Sequence, residues 1–249
     1  MTGTMVMLRH GQSDWNRRNL FTGWHDVAMT DTGLAEATAA GHTMAEAGLR
    51  FDVAHTSLLT RAVVTCHLAL DAMGMVWLPV QRSWRLNERH YGALQGLDKQ
   101  ATTERHGPEQ TKLWRRSYDV PPPPVDADSP EHPRNDPRYA RLAPDVLPAS
   151  ECLKDVVARV LPYWYDEIVP QLRAGLDVLV TAHGNSLRAL MMHLEQISTT
   201  DIAEINIPTG VPRQYTFADD LTLSSAEYLG DQEAIAAAAA AVAAQAGGH

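Results

Sequence analysis

Lysine is nearly absent from this chain: Lys99, Lys112 and Lys154 are the only three in 249 residues. Positive charge is therefore carried mainly by arginine, and the net charge of −9 leaves no broad basic face for nucleic acid. A small anionic ligand stays possible, because a few clustered arginines create a local positive field. Cysteine is scarcer still; Cys66 and Cys152 build no disulfide framework. No stretch reaches the roughly 20 apolar residues that a membrane helix needs. The first apolar run, from Met5 to Leu8, is cut by Arg9 before it reads as a signal peptide. The expectation is a cytoplasmic protein with no membrane or nucleic-acid partner. Hydrophobic content of 45% and charged content of 20% suit a soluble globular chain, long enough to bury one sizeable core.

What is present centres on two His-Gly dipeptides. Arg9-His10-Gly11 follows Met5-Val6-Met7-Leu8, and His183-Gly184-Asn185 follows Val178-Leu179-Val180-Thr181-Ala182. Such short apolar runs read as buried strands of a parallel sheet. Ligands of open α/β sheets bind beyond the carboxyl ends of the strands, so both imidazoles can meet over one pocket, with the glycine of each turn letting backbone approach a ligand. Ordinary turn chemistry is the competing explanation for each dipeptide alone.

A mostly parallel sheet with helices on both faces, a three-layer α/β fold, fits the remaining pattern. Thr30 or Asp31 caps a helix to about Gly48, and strands are expected near 52–55 and 76–80 with a helix from about Leu59 to Met73 between them. From Trp84 to about Pro148 the alternation of strands and helices breaks. Nine of the 15 prolines lie between 121 and 148, which forbids regular helix or a central strand there. We read an ordered insertion over the strand ends; a polyproline spacer without chemistry is the alternative for Pro121–Pro124. A helix from about Ser150 to Leu172, kinked at Pro162, follows. A strand then ends at His183, and a helix runs through Leu187–Met191. Asp201–Ile205 reads as a short helix and Arg213–Phe217 as the last strand. Residues 1–230 form one domain, and 231–249 an alanine-rich tail.

The candidate site gathers His10, His183, Glu88, Arg9 and Arg61, with Arg115 and Arg116 from the insertion. Arginine presents a planar fork suited to phosphate. A neutral histidine is a nucleophile toward phosphorus, the second histidine and the arginines stabilise charge, and Glu88 moves a proton. Glu88 beside Arg89 also reads as a plain surface ion pair. A metal bound by His10 and His183 lacks any supporting HExxH, CxxC or carboxylate cluster.

Leu8-Arg9-His10-Gly11-Gln12-Ser13 resembles the signature of the histidine phosphatase superfamily, also called phosphoglycerate-mutase-like. Glu88–Leu97, Trp114–Asp119, Ala182–Arg188 and Asn206–Gly210 are similar, in the same order, to the cofactor-dependent phosphoglycerate mutases. The likeness runs from about Met5 to Phe217. It implies a phosphohistidine at His10, a supporting role for His183, and Glu88 as proton donor and acceptor. Arg9, Asn16, Thr22, Gly23, Arg61, Tyr91, Lys99, Arg115, Arg116, Gly184 and Asn185 would hold substrate phosphate and carboxylate. It further implies interconversion of 3- and 2-phosphoglycerate in glycolysis and gluconeogenesis, priming by 2,3-bisphosphoglycerate, no metal, and a homo-oligomer (dimer or tetramer). Gln12, Cys152 and Arg213 depart from the commoner family residues, and Val125–Leu147 and the tail match nothing distinctive. Two other readings stand beside this one. The first is a phosphatase of the same superfamily, which usually lacks the Lys99 and Arg115-Arg116 insertion. The second is a catalytically silent binding module, which would not require His10, His183 and Glu88 together.

Overall fold

Every residue of strand β1 (Met5–Arg9) is buried, as its apolar run demands. The chain is described here by a computed structural model covering residues 2–246, with side chains for 2–242. A single turn, α1 (Asp14–Arg17), is capped by Ser13, and α2 (Asp31–Glu46) by the Thr30 hydroxyl, which accepts from the Gly33 N–H. Strand β2 (Val53–Thr56), helix α3 (Thr60–Ala72) and strand β3 (Val80–Arg82) follow. The insertion contributes α4 (Lys99–His106) and α5 (Pro108–Arg116), the latter opening on a proline whose missing N–H is harmless there. Then come α6 (Leu153–Tyr163), α7 (Val169–Arg173), β4 (Val178–Ala182), α8 (Gly184–Leu194), β5 (Pro212–Phe217), β6 (Leu223–Tyr228) and α9 (Gln232–Ala246).

The strands form one sheet in the order β3-β2-β4-β1-β5-β6. The β3–β2, β2–β4 and β4–β1 pairs are parallel; β1–β5 and β5–β6 are antiparallel. Alternation along the central strands divides the core. Met5, Met7, Val178 and Val180 face α6 and α8, where Val156, Val160, Leu187 and Leu190 are buried. Val6, Leu8 and Leu179 face the other way, onto Ala40 and Met44 of α2 and Cys66, Ala69 and Leu70 of α3. Helices therefore cover both faces, giving the expected α/β layering.

Several boundaries differ from the sequence reading. The third strand begins at Val80, because Met75 and Leu78 close a turn (Leu78 N to Met75 O, 3.0 Å) that points Val76 and Trp77 outward. The expected helix over 150–172 starts at Leu153, and its break falls beyond Pro162, in a wide turn over Trp164–Ile168 before α7. Pro162 and Pro170 withhold N–H donors on either side of that turn. Arg213–Phe217 is not the last strand; β6 pairs with it through the half-exposed run Leu-Ser-Ser-Ala-Glu-Tyr, too polar to read as a strand. Asp201–Ala203 makes one 3-10 turn rather than a helix to Ile205. The proline-rich stretch holds 3-10 turns opening at Pro133, Pro137 and Pro144, in keeping with its composition. The alanine run is helical through Ala246, and residues 247–249 of the tail lie outside the described residues.

Gly11 serves the fold rather than a ligand. A Cβ there would stand 2.2 Å from the Gly33 carbonyl oxygen, and one on Gly33 would stand 2.1 Å from that of Gln12. The loop after β1 and the start of α2 thus touch backbone to backbone.

Candidate active site

The parallel register sets Arg9 opposite Ala182, so the next residues, His10 and His183, emerge side by side from β1 and β4. Their ring centroids lie 5.0 Å apart, and both rings are buried. The carbonyl of Gly11 accepts from His10 Nδ1 at 2.7 Å. A carbonyl can only accept, so Nδ1 carries the proton and Nε2 keeps its lone pair. His183 caps α8, with Nε2 2.8 Å from the Ser57 hydroxyl. Burial, then the charge of Arg61, holds both imidazoles well below their ordinary pKa, so both are neutral at cellular pH.

Arg61 sits in the first turn of α3, 1% exposed, and donates Nη1 to the His25 carbonyl (3.0 Å) and Nη2 to that of Gly23 (2.7 Å). Gly23 has φ +59°, and a Cβ on it would meet Gln95 Oε1 at 2.1 Å, so only glycine fits that turn. Arg9 Nη1 donates to the Ile207 carbonyl (2.6 Å), while its Nε is buried without a partner.

Glu88 is nearly buried, and its Oε1 accepts from the Arg89 N–H (2.7 Å) and the Asn185 N–H (3.0 Å). Its other oxygen lies toward Gly184, where even a methyl group would be 3.6 Å away. The surface ion pair with Arg89 does not form. The Arg89 side chain instead donates to the carbonyls of Trp114 and Arg115, closing the end of α5 with a positive group. The backbone around Glu88 is gripped by a buried ion pair from α6 and the residue range before it. Arg159 donates to the carbonyls of Arg85, Asn87 and Glu88 while pairing with Glu151 at 2.6 Å. Glu151 in turn accepts from the His90 N–H and donates its own N–H to the His90 carbonyl, both at 2.8 Å.

Above these groups opens a cavity of about 110 Å³. Of the sequence-derived site residues, Arg9, Asn16, Thr22, Glu88, Tyr91, Lys99, Arg115, Arg116, Gly184 and Asn185 line it. His10, His183, Arg61 and Gly23 are buried and are not among the lining residues. Arg188 and Asn206 line it too and were missed, although both stand within the recognised motifs. Val242 of α9 also borders it, with no sequence signal to announce it. Arg116 reaches Asn206 Oδ1 at 2.6 Å. Five lining cations thus confront one carboxylate. Burial and mutual repulsion lower Lys99 to about 7, Arg188 to about 9 and Arg115 to about 10. Arg188 Nε, like that of Arg9, is buried and unpartnered. Such a pocket is built for an anion with more than one charged group.

Two buried histidines side by side at the ends of parallel strands, next to a pocket ringed by arginine, mark a phosphoryl-transfer protein. The chain belongs to the histidine phosphatase superfamily (branch 1), whose sequence profile matches residues 5–135 and 125–221. It is 61% identical over 242 residues to the 2,3-bisphosphoglycerate-dependent phosphoglycerate mutase of Leifsonia xyli subsp. xyli, covering 97% of this chain and 96% of that one. Among solved structures it is similar in fold to the alpha-ribazole phosphatase of Shigella flexneri (TM-score 0.66, 17% identity, 92% of this chain and 96% of the other). It also resembles mycobacterial hydrolase 1 (TM-score 0.67, 22% identity, 92% and 97%).

Two outcomes follow from the geometry. Arg159→Met leaves Glu151 buried without its partner and should cost about 3–5 kcal/mol, read from the midpoint of urea unfolding. Lys99, lowered to about 7 and raised above that once an anion neutralises its surroundings, is mostly neutral at pH 8 before the anion binds. Anion binding at pH 8 should therefore take up most of a proton, and affinity should weaken as pH rises above about 7. Calorimetry of 3-phosphoglycerate binding in buffers of differing ionisation enthalpy measures this uptake, and Lys99→Met should remove it.

Proposed function

We propose that the chain is a 2,3-bisphosphoglycerate-dependent phosphoglycerate mutase, interconverting 3-phosphoglycerate and 2-phosphoglycerate. The observation that carries the reading is the pairing of a free His10 Nε2 with a pinned Glu88 under five cations, in a chain so similar to a mutase of that name. His10 is the nucleophile. Its Nδ1–H is fixed on Gly11, and its depressed basicity keeps Nε2 unprotonated. Arg9, Arg61 and His183 surround the transferred phosphoryl and stabilise its oxygens. Lys99, Arg115 and Arg116, with Asn16, Thr22, Gly23, Tyr91, Gly184 and Asn185, hold the remaining charged groups of the substrate.

The residues suit 2,3-bisphosphoglycerate as well, since orphaned Arg9 Nε and Arg188 Nε offer donors to a multiply charged anion. When bound, that compound supplies the phosphoryl group that primes His10. In turnover, Glu88 withdraws the proton of the 2-hydroxyl of 3-phosphoglycerate while that oxygen bonds to phosphorus and the bond from His10 Nε2 breaks. After the doubly phosphorylated sugar acid turns in the pocket, His10 Nε2 takes the 3-phosphoryl group. Glu88 returns its proton to the departing oxygen, and 2-phosphoglycerate leaves. No residue of this scheme needs a metal ion. A glycolytic role of this kind places the protein in the cytoplasm, and among the described residues no helix is long and apolar enough to cross a membrane.

We further propose a homo-oligomer whose contact includes the free edge of β3. That edge strand is bordered by Val76, Trp77 and Val80, which are 53%, 71% and 40% exposed. Two copies related by a twofold axis bring the same edge to itself and cover the same indole.

With enolase coupling, conversion of 3-phosphoglycerate should appear on adding 2,3-bisphosphoglycerate to phosphate-stripped enzyme and vanish in His10→Ala. Hydrolysis of phosphate esters without primed mutase activity would favour the phosphatase. Light scattering on a sizing column should find at least two chains per particle, with Trp77→Lys shifting the mass toward one.

A further inference from the structure

The proline-rich part of the insertion has no place in the reaction scheme, yet it grips the loop on which Arg61 rests. Arg61 spends both Nη groups on the carbonyls of Gly23 and His25, so the position of its guanidinium is only as good as that of residues 23–25. Trp24 Nε1 donates to the Glu88 carbonyl at 2.5 Å and Asp26 accepts from the Thr60 N–H and hydroxyl, and residues 131–139 add further ties to this loop. Arg138 pairs with Asp26 at 2.7 Å, and the Tyr139 ring packs on Trp24 with centroids 4.7 Å apart. Glu131 does most. Its carboxylate takes His25 Nδ1 at 2.9 Å and Gln95 Nε2 at 3.2 Å, and Gln95 Oε1 accepts the Trp24 N–H at 2.8 Å. A face of the His25 ring stacks on Trp15 with centroids 4.2 Å apart, while the carboxylate, bonded at the ring edge, fixes its rotation within that plane.

The backbone of Glu131 is itself tied to the loop that bears Glu88. His90 Nδ1 accepts the Gly92 N–H at 3.0 Å, which leaves the ring proton on Nε2, directed at the Glu131 carbonyl 3.4 Å away. One residue of the insertion therefore spans the two loops that present the proton-transfer carboxylate and the phosphoryl-binding arginine. The His25–Glu131 pair is partly exposed, with a third of each side chain in solvent, so it adds little to global stability. Its worth to alignment is separate, because a displacement of about 1 Å at a reacting group can cost up to about 100-fold in rate.

We propose that Glu131 is a positioning residue for Arg61, acting through His25 and Gln95 to set the loop at 23–25 against the Glu88 loop. The proposal rests on the reading of Arg61 as a phosphoryl-binding group. The test compares Glu131→Ala, Glu131→Gln and the parent enzyme after priming with 2,3-bisphosphoglycerate. Glu131→Ala should lower kcat about 10-fold, change KM for 3-phosphoglycerate less than about 3-fold, and leave the melting temperature within a few degrees. Glu131→Gln keeps an oxygen acceptor and should recover most of the loss. In parallel, the nitrogen-15 resonances of the Arg61 guanidinium, assigned with Arg61→Lys, should be sharp in the parent and broadened in Glu131→Ala. That readout needs no activity and stands even if the mutase reading fails. Unchanged kcat in Glu131→Ala, a loss matched by the unfolded fraction, no recovery in Glu131→Gln, or unaltered Arg61 resonances would each overturn the proposal.

Discussion

The parallel pairing of β1 with β4 is the constraint from which the site descends. Arg9 opposite Ala182 fixes the relative height of two strand ends that are separated by more than 170 residues of chain. A slip of one residue would turn Met5, Met7, Val178 and Val180 out of the core they share with α6 and α8, so burial enforces the register that brings the two imidazoles together. Chemistry at the edge of the sheet is thus specified by apolar packing in its middle.

The second organising fact is how the buried positive groups are held. Arg9, Arg61, Arg89, Arg159 and Arg188 all donate hydrogen bonds to main-chain carbonyls. Only Arg159 also has a carboxylate at ion-pair distance. Carbonyl oxygens orient a guanidinium without neutralising it, which leaves its full charge for a ligand. Burial, then the neighbouring Arg115, Arg9 and Arg116, lowers Lys99 to about 7. A bound polyanion offsets that repulsion and favours the charged amine.

Much of this was legible from the residues. The two His-Gly turns, the first two strands, and α2 and α3 follow from apolar runs and caps that act locally. The failures share a cause: they depend on contacts distant in sequence. Val76–Val80 is apolar enough for a strand, but Met75 and Leu78 fold inward as a turn and Pro79 has no N–H to give. Strand β6 carries too few apolar residues to declare itself and exists because β5 offers it an edge. Gly11 looked like room for a ligand and is room for Gly33. The lining by Asn206 and Arg188, and the approach of α9, required the closed fold before they could be seen.

Helix α9 brings Val242, seven residues from the last residue, to the border of the pocket. Arg9 of β1 lines the same pocket, so its wall joins the first strand to the last helix. A substitution at Val242 would therefore reshape the space a ligand enters while leaving the sheet and both imidazoles untouched.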